Sequence, residues 1–339
     1  MVWGSWLACD DAAEDCPPQA QGRVKKATNS EEINNFFEVF ITKLYHYVER
    51  RYRDMIEGGL VIQGGGARGA FAAGVLDVLL EEKLLFSKVY GTSAGALCAC
   101  NYLSGDLGRS HFIVTELMRD KRFVSARNLI LTGNLFNFKY LFHVIPKKKA
   151  AFNEEAFFAN PAEFYACVTS LETGKEEYLP KTQDKATTYK AIAASSSLPL
   201  YSKPIKIGKN KYLDGGQVAP IPYGKPIQDG VEKVVIVLTR QKGYVQPEVK
   251  ESVVKKANRK YGKHPEFVDT YIHGATYFNN AMADIEALEE KGRVFVIRPD
   301  IPPAVGIAET NKEKLEELYQ QGKEACRVRL QALREYLAK

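Results

Sequence analysis

Between Leu60 and Gln63 the chain is apolar almost without a break, and glycines follow at once. A short run of this kind, closed by a turn signal, predicts a strand covered on both faces. From Ala70 to Glu82 the apolar residues Phe71, Val75, Leu76, Leu79 and Leu80 recur at helical spacing. A second strand from about Ser87 to Thr92 leads into a small-residue turn and a helix starting near Ala94. Two strand-helix units in succession predict a parallel sheet covered by helices. Apolar runs at Phe164 to Thr169, Val234 to Leu238 and Val294 to Ile297 add three buried strands, and helical spacing returns from Asn311 to Leu337. Near the start, Ile33, Phe36, Phe37, Phe40, Ile41, Leu44 and Val48 predict one more helix, capped by Asn29 and Glu32, after an aperiodic lead that reads as disordered. The expected fold class is therefore α/β, a three-layer sandwich with a mostly parallel central sheet flanked by helices, plus a C-terminal helical region. The expected division is an N-terminal extension with one helix at 1–57, a central domain at 58–240 and a mainly helical region at 241–339 packing on it.

The segment Gly91-Thr92-Ser93-Ala94-Gly95 stands where the second strand meets its helix. A nucleophile on a tight strand-to-helix turn has a strained backbone, and the residues two before and two after it must lack bulk, which Gly91 and Gly95 do. The turn lifts the Ser93 hydroxyl to the carboxyl edge of the sheet and aims the Ala94 N–H at a developing oxyanion. Gly64-Gly65-Gly66-Ala67-Arg68-Gly69 follows the first strand and opens a helix, so its amides are free to meet an anion. A Walker loop would need Lys and Ser or Thr where Ala70 and Phe71 stand. A dinucleotide fingerprint would need an acid where Tyr90, Gly91 and Thr92 stand. An oxyanion hole built on the Gly65 and Gly66 amides explains both glycine motifs at once.

A serine nucleophile needs a base. None of the five histidines, His46, His111, His143, His264 and His273, sits in a catalytic setting by pattern, although Ser93, Asp214 and then His264 or His273 follow the chain order of a triad. Asp214 is the better candidate, because it ends a short strand just before Gly215 and Gly216, where the backbone can turn sharply. Leu135, Phe136, Phe138, Tyr140, Leu141, Phe142 and Val144 form an aromatic cluster that suits either an acyl groove or core packing.

Composition narrows the partners. With 339 residues at 45% hydrophobic, the chain can bury a large core, and its formal net charge of +6 comes with no nucleic-acid motif. Nucleic acid is not an expected partner. The cluster Lys147, Lys148 and Lys149 could attract an anionic membrane surface, with a solvated face as the commoner reading. Cys9, Cys16, Cys98, Cys100, Cys167 and Cys326 are spaced as neither a disulfide framework nor a zinc site, and they read as reduced thiols of a cytoplasmic protein. No run approaches the roughly 18 apolar residues of a membrane span, and the first residues lack a secretory pattern. Nothing in the sequence points to an oligomeric state.

The motifs GGGARG, GTSAG and DGG, in this order and at these intervals, resemble the patatin-like phospholipase family, and Ala191 to Leu200 is similar to the small-residue helix end that such proteins carry before their aspartate. The likeness covers about Gly58 to Thr239, and the region up to about Leu337 resembles the helical tail of bacterial members. The resemblance implies a lipid acyl hydrolase working through a Ser/Asp dyad without metal or cofactor. Ser93 matches the nucleophile, Asp214 the proton acceptor, and Gly64, Gly65, Gly66 and Arg68 the oxyanion loop, with Gly69 closing that motif. Arg68 is expected to steady the loop more than to meet a lipid phosphate. One departure is visible, since many relatives have an acidic residue where this chain has Gln63.

Overall fold

The computed structural model describes residues 54–339, so the expected N-terminal helix and lead lie outside the described residues. Met55–Lys339 form one compact unit. Its centre is an eight-stranded sheet, whose strands are β1 (Ile56–Ile62), β2 (Phe86–Thr92), β3 (Glu163–Ser170), β4 (Glu176–Pro180), β5 (Ile205–Ile207), β6 (Asn210–Asp214), β7 (Val234–Val237) and β8 (Val294–Ile297). The order is β5-β6-β3-β2-β1-β7-β8, with β4 also on β3. The run β3-β2-β1-β7-β8 is parallel, while β4, β5 and β6 join antiparallel.

The apolar runs become central strands because both faces are covered. Leu60, Ile62, Val235 and Val237 point into one core with α1 (Gly69–Glu81), α2 (Ala94–Ser104) and the long C-terminal helix. Val61, Val234 and Ile236 point into a second core with Phe278, Met282 and Ile285. Alternate residues of one strand thus feed opposite layers, as a pleat of period two requires.

The remaining helices include α3 (Arg109–Glu116), α4 (Ala126–Thr132), α5 (Glu154–Ala159), α6 (Lys185–Ser195), α7 (Glu251–Tyr261), α8 (Pro265–Ile272), α9 (Gly274–Glu290) and α10 (Lys312–Ala338). Asn311 caps α10, its Oδ1 accepting from the Lys314 N–H at 2.9 Å. Helix α10 lies against α1 with their backbones almost touching. A Cβ on Gly74 would stand 2.1 Å from the Tyr319 carbonyl oxygen, and one on Gly322 would stand 2.1 Å from that of Phe71. Buried Asp77 links the same helices by accepting from the Tyr319 hydroxyl at 2.8 Å. Beyond residue 240, β8 extends the central sheet, and Leu315, Leu318, Cys326 and Leu333 of α10 belong to the main core. Among the described helices none is long and apolar enough to cross a membrane.

Candidate active site

The glycine loop leaves β1 at the point where the sheet continues to β2 on one side and β7 on the other, the position at which open α/β sheets bind ligands. Ser93 follows β2 and caps α2 with φ 56° and ψ −123°, a conformation that L side chains rarely adopt and that the surrounding turn imposes. Bulk is excluded around it as the sequence predicts. A Cβ on Gly91 would meet the Ala96 backbone at 2.7 Å, and one on Gly95 would meet the Ile62 carbonyl at 2.4 Å. The Thr92 hydroxyl pins the same turn by donating to the Ala219 carbonyl at 2.9 Å.

Asp214 arrives from the antiparallel side of the sheet, at the end of β6. Ser93 Oγ donates to Asp214 Oδ2 at 2.7 Å, and the Gly216 N–H donates to Oδ1 at 2.7 Å. Gly215 allows this approach, since a Cβ there would stand 2.4 Å from the Cys167 carbonyl oxygen. The carboxyl is 1% exposed. Burial pushes its pKa up to about 7, against smaller opposing effects of the Ser93 and Gly216 hydrogen bonds.

The positioning role of Ser195, in the last turn of α6, has no signal beyond the small-residue stretch that contains it. The Ser93 N–H donates to Ser195 Oγ at 2.9 Å, and that hydroxyl donates onward to the Cys167 carbonyl at 2.6 Å. The Ser93 backbone is thereby tied to β3. The Asp214 N–H also donates to the Ser197 carbonyl, two residues beyond Ser195, at 2.9 Å.

In the glycine loop the amides divide. The Gly64 N–H donates to the Pro220 carbonyl at 3.0 Å, so it is spent on anchoring and is not free for an oxyanion. The Gly65, Gly66 and Ala94 N–H groups find no acceptor among the described residues. Gly66 has φ +58° and lies so close to Ile307 that a Cβ would stand 2.3 Å from its carbonyl oxygen, which accepts from the Ala67 N–H at 2.9 Å. Gly69 lets α1 approach the serine turn, with a Cβ 3.1 Å from that of Ala94. The buried Gln63 amide oxygen accepts from the Thr239 N–H at 2.6 Å, and Thr239 Oγ1 donates to the Gly64 carbonyl at 3.1 Å. An acceptor is what this place requires, and an amide oxygen serves as a carboxylate would.

Arg68 folds back over the loop, its Nε 3.5 Å from where a Cβ of Gly65 would be, and that Nε is buried without an acceptor. Desolvation, helped by the nearby Arg240 charge, lowers its pKa to about 10. Arg240 itself lies over the Tyr244 ring, 4.1 Å from its centroid. Neither guanidinium has a carboxylate partner among the described residues.

The histidines are elsewhere. His264 faces Glu172 at 3.4 Å, and His273 faces Asp269 at 3.3 Å. Neither bonds Ser93 or Asp214, so the triad order in the sequence does not become a triad in space. His111 pairs with Glu316, His143 packs on Tyr189, and His46 lies outside the described residues. Most of the predicted aromatic groove is packed with Ile113, Leu117 and Phe123 as a satellite core. Only Leu141 and Phe142 of that set also line a narrow cleft along α2, together with Leu97, Phe152 and Tyr189. The four described cysteines are buried and unpaired.

Residues 60–226 match the family model described as Patatin-like phospholipase, and residues 264–338 match one described as a domain of unknown function, DUF6363. The chain is 26% identical over 250 residues to the uncharacterized protein YjjU of Escherichia coli (strain K12), a match covering 72% of this chain and 68% of that protein. A stretch of 89 residues is 39% identical to the putative patatin-like phospholipase domain-containing protein M110.7 of Caenorhabditis elegans, covering 23% of this chain and 8% of that protein. Among solved structures, VipD from Legionella pneumophila aligns with a TM-score of 0.44 at 13% identity, over 82% of this chain and 67% of that one. The glycine loop, the serine turn and the aspartate all fall within the matched stretch, so it is residues 60–226 that carry the patatin-like phospholipase domain.

Proposed function

We propose that this protein hydrolyses acyl esters of lipids through a Ser93/Asp214 dyad and an acyl-enzyme intermediate. The observation that carries the reading is the direct 2.7 Å bond from the Ser93 hydroxyl to a buried carboxylate, beside three amides without acceptors. Ser93 Oγ attacks the ester carbonyl carbon while its proton passes to Asp214, and the Gly65, Gly66 and Ala94 N–H groups receive the negative oxygen. The tetrahedral intermediate collapses as the ester C–O bond breaks, and Asp214 returns the proton to the leaving alcohol. Water then gives a proton to Asp214 and attacks the acyl group, and the fatty acid leaves as Ser93 regains its proton.

A carboxylate of ordinary acidity is a poor base for an alcohol, and burial narrows that gap by pushing the Asp214 pKa up to about 7. The unpaired Arg68 and Arg240 guanidiniums favour a substrate with an anionic headgroup, which points to a phospholipid or lysophospholipid before a neutral glyceride. The test is hydrolysis of a panel of labelled lipids by the wild type, Ser93→Ala and Asp214→Asn. Each variant is expected to lose at least about a thousandfold in kcat, in line with removal of a nucleophile or its base. Appreciable turnover by Ser93→Ala would overturn the mechanism.

A further inference from the structure

Helix α4 buries none of its residues, yet Ile130 and Leu131 on it are 82% and 70% exposed. Its shape is nonetheless fixed. Ser125 Oγ caps it by accepting from the Asn128 N–H at 3.1 Å, Gly133 ends it with φ 77°, and Val124 and Phe136 bridge across its base. The result is a braced projection with two branched apolar side chains near its tip. Charge is concentrated in the same stretch. Between Arg119 and Lys149 stand eight Lys or Arg residues, all exposed, and one carboxylate, Asp120, whereas the formal charge of the whole chain is +6. That carboxylate is held at 2.7 Å by Arg122 and at 3.1 Å by Lys149, which draws the two ends of the basic stretch together. The rest of the protein is close to neutral.

The projection is joined to the site. The Leu135 N–H donates to the Tyr201 carbonyl at 2.7 Å, and the Lys203 N–H donates to Asn134 Oδ1 at 2.8 Å. Tyr201, itself half exposed, lies six residues after Ser195, the residue that holds the nucleophile's backbone. Exposed branched apolar side chains within a stretch of exposed cations match an anionic lipid surface, whose hydrocarbon takes the former and whose headgroups take the latter. A nucleic acid would use the charge and leave Ile130 and Leu131 in water.

We infer that α4 and the basic stretch around it form a docking face for anionic lipid membranes, which seats the mouth of the Ser93 site on the bilayer. This deepens the lipid-hydrolase reading and rests on it for its purpose. The test is co-sedimentation of the full chain, made inactive by Ser93→Ala, with vesicles of phosphatidylcholine alone or mixed with phosphatidylglycerol. Binding to the mixed vesicles and its decline with added salt are expected. Adding Arg127→Gln, Lys147→Gln and Lys148→Gln is expected to weaken it about a hundredfold, at about fivefold for each charge. Adding Ile130→Ser and Leu131→Ser is expected to weaken it roughly tenfold or more. In the active background both sets leave turnover of a short water-soluble ester unchanged. Equal binding to the two vesicle types, no effect of either set, or tighter binding to an oligonucleotide than to the vesicles would overturn the inference. Loss of ester turnover in the unmutated protein would count against the hydrolase reading alone, since sedimentation does not depend on turnover.

Discussion

The charge state of Asp214 couples chemistry to stability. With its pKa near 7, Asp214 is ionised only above neutrality, so under the proposed dyad kcat/KM is expected to rise through an acid limb with a midpoint near pH 7, where an ordinary carboxylate would give one near 4. A limb near 4 in the pH–rate profile would contradict the burial argument. The folded protein keeps this proton up to about pH 7, while the unfolded chain releases it near pH 4, so stability falls as pH rises between those values. Asp214→Asn cannot ionise and removes that slope. The variant is expected to gain on the wild type as pH rises from about 4 to 7, by up to about 4 kcal/mol at pH 8, as read by urea denaturation. Ser93 stores a smaller strain in its positive φ. Ser93→Gly, inactive by design, is expected to raise the melting temperature by an amount equivalent to about 1 kcal/mol, and a lowered melting temperature would deny the strain.

At the scale of elements, the α1–α10 contact reverses an ordinary rule. Glycine to alanine within a helix usually stabilises by about 1 kcal/mol, but a methyl group at Gly74 meets the Tyr319 carbonyl at 2.1 Å. Gly74→Ala is therefore expected to cost about 1–3 kcal/mol, with thermal denaturation as the check. Tyr319→Phe strips the buried Asp77 carboxylate of a hydrogen bond and is expected to cost about 1.5–3 kcal/mol. The central strands, α1, α2 and α10 were legible in the sequence because continuous runs and helical spacing each report one burial pattern. Strands β4 and β5 were not, since Glu176–Pro180 and Ile205–Ile207 are short, partly exposed and mix charged with apolar residues. The site was legible where steric need leaves a mark, as at Gly91, Gly95 and Gly215. It was hidden where a contact is purely spatial, because nothing near Ser195 in sequence announces Ser93 and nothing near Gly64 announces Pro220.

For the whole molecule, the sequence suggested a mainly helical region from 241 onward packing on the central domain, and that region also supplies a strand to the sheet. Strand β8 pairs with β7, and α10 covers α1, so the last hundred residues complete the sheet and the main core. A chain ending before β8 would bare one edge of β7 and one face of α1. Truncation after residue 263 is expected to yield aggregated protein without cooperative unfolding, and a soluble, cooperatively melting fragment would contradict this.

The contact between Ile307 and the glycine loop adds a historical constraint. The carbonyl that accepts from Ala67 and the wall against which only a glycine fits at 66 both come from a stretch outside the matched phospholipase segment. Two segments with separate family descriptions therefore share custody of one glycine loop. Recombination that exchanged either segment between distant relatives would bring together a loop and a buttress that had not been shaped for each other, so the pair should be inherited as a single unit.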